Sequence, residues 1–198
     1  SSSGYFISGY HDSEYVYSGY STKINFVLET IQDLSYQLLE KKESSGSVNG
    51  FEKGYYAGGK IDTDVSSRIN RMTYTTDTNE VISVMLSTGR SQLSGCYNSS
   101  EGFFVGGLGD SISTEISQLE FSSETLKETS LALAVKRTQH NINQFEHKAY
   151  ISGGQTSRPY DDSIVLFNML SFNMTNMQST LPTPARSSVA VSSLTSGY

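Results

Sequence analysis

A six-residue motif that returns along the chain most constrains what this sequence can fold into. Its two clearest copies are Gly54–Gly59 (GYYAGG) and Gly102–Gly107 (GFFVGG), and weaker copies stand at Gly4–Gly9 and Lys148–Gly153. A fifth copy begins at Gly197. Successive copies start 50, 48, 46 and 49 residues apart. Self-similarity at a period of about 50 residues indicates a repeat architecture in which each copy is one structural unit.

The residues around the motif predict antiparallel strands. Two aromatic residues and an apolar residue are typical of a short buried strand, and the paired glycines allow positive φ where the strand ends. A polar, acidic loop follows, and then a second strand at 68–74 and again at 115–121. Turn residues and further alternating runs at 81–86 and 127–133 complete each unit. The pattern predicts an all-β fold.

Each cycle restarts at an arginine followed by a small hydroxyl residue. These pairs begin at Arg90, Arg137 and Arg186, spaced 47 and 49 residues apart, whereas the first repeat has Glu43-Ser44 there. Antiparallel up-and-down strands place the glycine-ended loops and the arginine junctions on one face. We expect the guanidinium groups to tie neighbouring units together through bonds to carboxylates and carbonyls. The predicted structural repeat positions are Gly58, Gly59, Gly106, Gly107, Gly153, Arg90, Arg137 and Arg186.

Two stretches carry a family resemblance. Residues 181–191 (LPTPARSSVAV), which lead towards a Gly-Tyr, resemble the blade junction of kelch and galactose-oxidase-like propellers. Residues 67–78 resemble a kelch-like repeat of marine phage virion proteins. The resemblance covers essentially the whole chain, although the chain has no Trp. It implies a single β-propeller domain over 1–198 with four-stranded blades of about 48 residues, in repeats 4–53, 54–101, 102–147 and 148–196.

The two ends of the chain suggest how such a ring closes. Residues 187–194 read as a first strand without a blade of its own, and the chain starts at a second strand, 4–9. Pairing the two segments would bury two open strand edges. The alternative is a four-repeat segment of a larger propeller, because seven blades are common in the family and the chain lacks an initiator Met.

The first repeat is the most divergent. A Tyr-rich stretch from Tyr10 to Tyr20 predicts a long loop, and residues 23–28 predict a strand. Residues 31–40 have an apolar spacing that helices also use, but their phase in the repeat favours a strand.

Composition excludes several classes of function. The formal net charge of −6 argues against a nucleic-acid partner, which requires a basic patch. No apolar run is long enough for a membrane span. The single cysteine, Cys96, excludes an internal disulfide and reads as a small buried residue.

The sequence predicts no enzyme, no metal and no cofactor. Galactose-oxidase-like propellers hold copper with Tyr and His ligands, but His11, His140 and His147 fall in unrelated phases of the repeat. The acids at 62–64 and 161–162 are compatible with a Ca²⁺ ion, although solvated loop acids are the preferred interpretation.

A structural or binding role is therefore the favoured hypothesis. The phage resemblance implies a virion component, such as a tail, fibre or capsid decoration protein, at a virion or extracellular surface. Its partners would be other virion or assembly proteins. The alternative is a lectin-like propeller that binds a surface glycan, because tyrosines suit sugars. The candidate contact residues on the loop face are Tyr10, Asp12, Tyr15, Tyr17, Tyr20, Asp62, Asp64, Asp110, Arg158, Tyr160, Asp161 and Asp162.

Overall fold

The fold is all-β. A computed structural model describes residues 3–11, 16–34, 40–127, 129–157 and 160–191, with side chains given outside 8–18. These residues form strands and no helix. The strands group into four consecutive antiparallel sheets, which we number units 1 to 4 along the chain.

Strand order within each sheet follows chain order. Unit 1 contains β1 (Ser3–His11), β2 (Val16–Asn25) and β3 (Thr30–Leu34). Unit 2 contains β4 (Gly46–Asn49), β5 (Lys53–Ala57), a small hairpin of β6 (Lys60–Ile61) and β7 (Asp64–Val65), then β8 (Arg68–Thr73) and β9 (Thr78–Met85). Unit 3 contains β10 (Ser94–Tyr97), β11 (Glu101–Val105), β12 (Ile116–Glu120) and β13 (Thr125–Lys127). Unit 4 contains β14 (Asn141–Phe145), β15 (Lys148–Ser152), β16 (Ile164–Asn168) and β17 (Asn173–Asn176).

Two apolar cores lie between neighbouring units. Because side chains alternate across a strand, the two aromatics of each motif point to opposite neighbours. Phe104 belongs to the core shared with unit 2, together with Tyr55 and Leu119. Phe103 belongs to the core shared with unit 4, where its ring meets that of Phe167 edge-on at 5.1 Å. The double aromatic therefore recurs because each unit packs against two others.

The backbone corrects the alignment of the fourth repeat by one residue. Gly153 and Gly154 have φ values of 64° and 99°, matching 59° and 108° at Gly106 and Gly107. The predicted copy Lys148–Gly153 had placed Ser152 on the first glycine, because both residues are small. Tyr150, rather than Ala149, is thus the counterpart of Phe103, and the spacing is 47 residues rather than 46.

Unit 1 departs from its sequence prediction. The predicted loop from Tyr10 to Tyr20 is largely strand, because residues 10–11 belong to β1 and residues 16–20 to β2. The predicted strand at 23–28 ends at Asn25, whose Oδ1 accepts the amides of Val27 and Leu28 and so forms a turn. The segment predicted at 31–40 is strand over Thr30–Leu34, and 35–39 lie outside the described residues.

Closure of the ring stays a prediction. β1 is an edge strand of its sheet, and an open cleft of about 930 Å³ lies between β1 and β4. Residues 187–191 form no strand, and the Val189 side chain is 89% exposed. Residues 192–194, the remainder of the predicted closing strand, lie outside the described residues.

Candidate binding surface at the loop end

Three connections and the junctions between units gather at one end of the sheets, which we call the loop-end surface. Its connections are 58–67, 106–115 and 153–163, with residues 158–159 outside the described residues, and its junctions are 40–45, 86–93 and 134–140. Backbone bonds fasten each connection to the next junction. The Gly59 amide donates to Arg90 O at 2.9 Å, and the Gly107 amide donates to Arg137 O at 3.0 Å.

A buried guanidinium organises the junction before unit 3. The Arg90 side chain is about 1% exposed and lies in the sheet that follows it. Its Nη1 pairs with Glu115 Oε2 at 2.5 Å, and its Nη2 donates to Ser117 Oγ at 2.8 Å. Burial alone would raise the pKa of Glu115, but hydrogen bonds from Ser87 and Arg90 outweigh it and lower that pKa to about 2. The carboxylate therefore stays charged against the arginine.

The junction before unit 4 repeats this arrangement. Arg137 Nη1 donates to Gly153 O at 3.1 Å, and Nη2 contacts Ser163 Oγ at 3.0 Å and Asp161 Oδ2 at 3.1 Å. Asp161 belongs to the predicted acidic rim, yet its side chain is only 12% exposed and is engaged with this arginine. Its neighbour Asp162 is half-buried.

A buried lysine takes the arginine position in unit 2, where the sequence pattern had placed Glu43. Lys42 precedes Arg90 by 48 residues, its side chain is fully buried, and its Nζ lies 3.2 Å from Glu40 Oε2. Its aliphatic stem lies beside Gly59, as that of Arg90 lies beside Gly107. Burial lowers the pKa of Lys42, and Glu40 opposes that shift. The 48-residue offset was the signal that could have found it.

Arg186 differs from the other two arginines. Its side chain is exposed, and Nη1 donates to Gln155 Oε1 at 2.7 Å and to Gln139 Oε1 at 3.2 Å. The guanidinium also lies 4.8 Å from the ring centre of Tyr160. The three arginines occupy equivalent sequence positions, but only Arg90 and Arg137 are buried.

The remaining predicted contact residues are distributed unevenly. Asp62, Asp64 and Asp110 are exposed or half-exposed at the tips of the connections in units 2 and 3. Tyr160 is 44% exposed, and Tyr20, in β2, is 68% exposed. The structure gives only the backbone of Tyr10 and Tyr17, and Asp12, Tyr15 and Arg158 lie outside the described residues.

Two further titratable groups, His140 and Cys96, are buried. Burial lowers the pKa of His140 to about 3, and burial raises the pKa of the Cys96 thiol. Within the described part of the chain, no three His, Cys, Asp or Glu side chains stand close enough to hold a metal ion. No helix among the described residues is long and apolar enough to cross a membrane.

Comparison with known proteins gives a fold and no family. No protein-family model and no curated protein matches the chain. Among solved structures, that of YjhT is similar with a TM-score of 0.78 over 93% of this chain, at 8% sequence identity. The chain spans 64% of the length of that structure's chain. At this identity the likeness supports a shared all-β fold only.

Proposed function

We propose that the four units are consecutive blades of a kelch-type β-propeller, and that the chain is a non-enzymatic contact protein of a virion. The observation that carries the proposal is the contrast within the loop-end surface. Paired glycines begin all three connections, and a buried cation (Lys42, Arg90 or Arg137) stands in each of the junctions 40–45, 86–93 and 134–140. The exposed tips differ, with Asp62 and Asp64 in unit 2 and Asp110 in unit 3. A constant frame that carries variable loops is typical of recognition surfaces.

The charged groups of this surface favour contact over catalysis. The carboxylates of Glu115 and Asp161 are engaged by the buried guanidinium groups of Arg90 and Arg137. The acids that remain exposed are Asp62 and Asp64 on the tip of unit 2 and Asp110 on the tip of unit 3, so a partner would meet an acidic rim. Other virion or assembly proteins are the proposed partners, at a virion or extracellular surface, with neither nucleic acid nor membrane insertion. The virion assignment rests on the sequence resemblance alone.

A surface glycan is the second candidate ligand. The Tyr160 ring is partly exposed and is braced by the Arg186 guanidinium. A rigid aromatic ring beside hydrogen-bonding groups is a suitable platform for a sugar. A galactose-oxidase-like enzyme is the least supported function.

Cross-linking mass spectrometry of the native assembly, purified from its source, tests the proposal. Lys60 and Lys136 are exposed at the loop-end surface, whereas Lys53 and Lys127 lie towards the opposite end of their sheets and serve as internal controls. We expect cross-links to other proteins from the first pair and none from the second. Cross-links only from the second pair would contradict the proposed surface. A glycan array probed with the purified chain tests the alternative, with Tyr160→Ala as the variant that should lose binding.

A further inference from the structure

Neighbouring units are joined at the turn end, opposite the loop-end surface, by a side-chain clasp. In the first clasp, the turn between β8 and β9 reaches back to unit 1. Asp77 Oδ1 accepts hydrogen bonds from Tyr5 Oη at 2.6 Å and from Lys23 Nζ at 2.8 Å. The Tyr74 ring stacks on the Tyr5 ring with centres 5.3 Å apart. One turn thus supplies an acid and an aromatic ring, and the preceding unit supplies a tyrosine and a cation.

The second clasp joins units 2 and 3 with the same chemistry. Glu124 Oε1 accepts hydrogen bonds from Tyr55 Oη at 3.0 Å, from Lys53 Nζ at 2.8 Å and from Arg71 Nη1 at 2.6 Å. The Phe121 ring stacks on Tyr55 with centres 5.4 Å apart. Glu124 follows Asp77 by 47 residues, and both residues have positive φ, 52° and 55°. The clasp is therefore a repeated feature of the fold.

The third clasp, between units 3 and 4, is apolar. Phe172, also at positive φ (53°), replaces the acid, and its ring lies 6.2 Å from that of Phe103, which replaces the tyrosine. Gln118, paired with Phe103 across the sheet, stands where unit 2 has Arg71. The acid, the tyrosine hydroxyl and the cation of the second clasp are thus all replaced in the third. The groups on the two sides of each contact therefore match in chemistry, which favours contact between matching faces.

The turn of unit 1 carries an acidic half of this clasp without its counterpart. Phe26 and Glu29 precede Tyr74 and Asp77 by 48 residues, and Glu29 has the same positive φ, 51°. The Phe26 ring is 60% exposed, and Glu29 is exposed. Phe6, on the same face of unit 1, is 65% exposed, whereas its counterpart Phe104 in unit 3 is fully buried.

The face of unit 4 that points away from unit 3 carries the tyrosine and the cation of such a clasp. Tyr150 and Lys148 follow Tyr55 and Lys53, the residues that bind Glu124, by 95 residues each. Both are half-buried on a sheet face that no described unit covers, whereas Tyr55 is only 2% exposed. Leu166 replaces the arginine, so Lys148 is the cation of this half. A phenol and an ammonium group fit a carboxylate and an aromatic ring.

We propose that the face of unit 1 that carries Phe6 and Phe26 and the face of unit 4 that carries Tyr150 and Lys148 form one interface between two copies of this chain. Glu29 of one copy meets Tyr150 and Lys148 of the next, and Phe26 stacks on Tyr150. The occupant is a second copy because both matched halves lie on this chain, Glu29 and Lys148 carry opposite charges, and the described strands of units 1 and 4 make no extended contact with each other. The contact is head-to-tail, so repeated contacts close into a ring or extend into a chain of copies.

Charge exchange tests this interface by sedimentation velocity of the purified chain over a concentration series. We expect the wild type to associate. Glu29→Lys and Lys148→Glu should each weaken association about tenfold or more, because like charges then face each other. An equimolar mixture of the two variants should associate again, since each interface then pairs opposite charges. Asp110→Lys, on the loop-end surface, is the matched control and should associate like the wild type.

Each other outcome overturns the inference. A constant monomer mass at every concentration, or association that none of the exchanges weakens, would contradict it. If the mass stays monomeric while Glu29→Lys lowers the melting temperature and the mixture does not recover it, the clasp closes within one chain. The result is independent of the proposed contact function, because the loop-end surface has no part in this interface.

Discussion

The buried cations show how single residues hold the units together. Arg90 and Arg137 each satisfy a carboxylate and further oxygen atoms of the sheet that follows. Lysine cannot reproduce this planar fork. We expect Arg90→Lys and Arg137→Lys each to lower the free energy of unfolding by about 1–3 kcal/mol. Arg186→Lys should change it by less than about 0.5 kcal/mol, because that side chain is exposed. Urea unfolding measures all three, and equal losses would contradict this account.

Two carboxylates make stability depend on pH. Burial alone would raise the pKa of Glu124, but hydrogen bonds from Arg71, Lys53 and Tyr55 lower it to about 2, and the pKa of Glu115 is also about 2. Because these folded-state values lie below the ordinary value of 4.5, each group stabilises the fold above about pH 4.5, and this contribution is lost as the pH falls towards 2.

Glu124→Gln should therefore flatten the acid limb of the stability curve. We expect a loss of about 1 kcal/mol at pH 7 that shrinks as the pH falls to 3, since partial solvation screens these contacts. Urea unfolding at pH 7, 5 and 3 measures it. Glu52→Gln, on an exposed turn, is the control and should follow the wild-type curve. Parallel curves for Glu124→Gln and the wild type would refute the assignment.

At the scale of strands, the sequence predicted those strands in which apolar residues recur regularly. The strands predicted at 68–74, 81–86 and 115–121 lie within a few residues of β8, β9 and β12, because apolar residues recur regularly there. The strand predicted at 127–133 is wrong, because β13 spans Thr125–Lys127 and residues 129–133 form only an isolated bridge at Ala132. β4 was missed, since only Val48 is apolar in that short polar segment and its pairing with β5 is set by tertiary contact. The turn-end clasp was missed because Asp77 and Glu124 look like solvated turn acids. Only the register shows that they face Tyr5 and Tyr55.

Gly95 lies where units 2 and 3 approach each other closely, although it is outside the repeated motif. A Cβ at this position would stand 2.0 Å from Ser47 O and 2.8 Å from Val48 Cγ1. We expect Gly95→Ala to lower the free energy of unfolding by about 2 kcal/mol or more, because the inner strands of units 2 and 3 must separate. Thermal melting measures the effect, with the exposed Ser99→Ala as control. An unchanged melting temperature would show that the two strands yield easily.

At the scale of the whole molecule, the number of repeats could be predicted from the sequence, but closure of the ring could not. Four copies of the motif predicted four units because each unit repeats its own local pattern. Closure depends on which faces meet at the two ends, and local periodicity carries no information on that. The chain's 64% coverage of the YjhT structure does not decide it either.

Units that are covered on two faces should protect their backbone amides from hydrogen exchange better than a unit that is covered on one face. Unit 3 is packed on both faces, with Phe103 and Phe104 fully buried, whereas unit 1 leaves Phe6 and Phe26 more than half exposed. In repeat proteins each unit draws stability from the units beside it, so a unit covered on one face opens more readily. At low protein concentration we expect amides of β2 to exchange hydrogen at least tenfold faster than those of β11. If copies associate head-to-tail, protection of β2 should rise with concentration while that of β11 stays constant. Hydrogen exchange followed by mass spectrometry measures both strands, and equal protection at every concentration would mean that unit 1 is already covered within one chain.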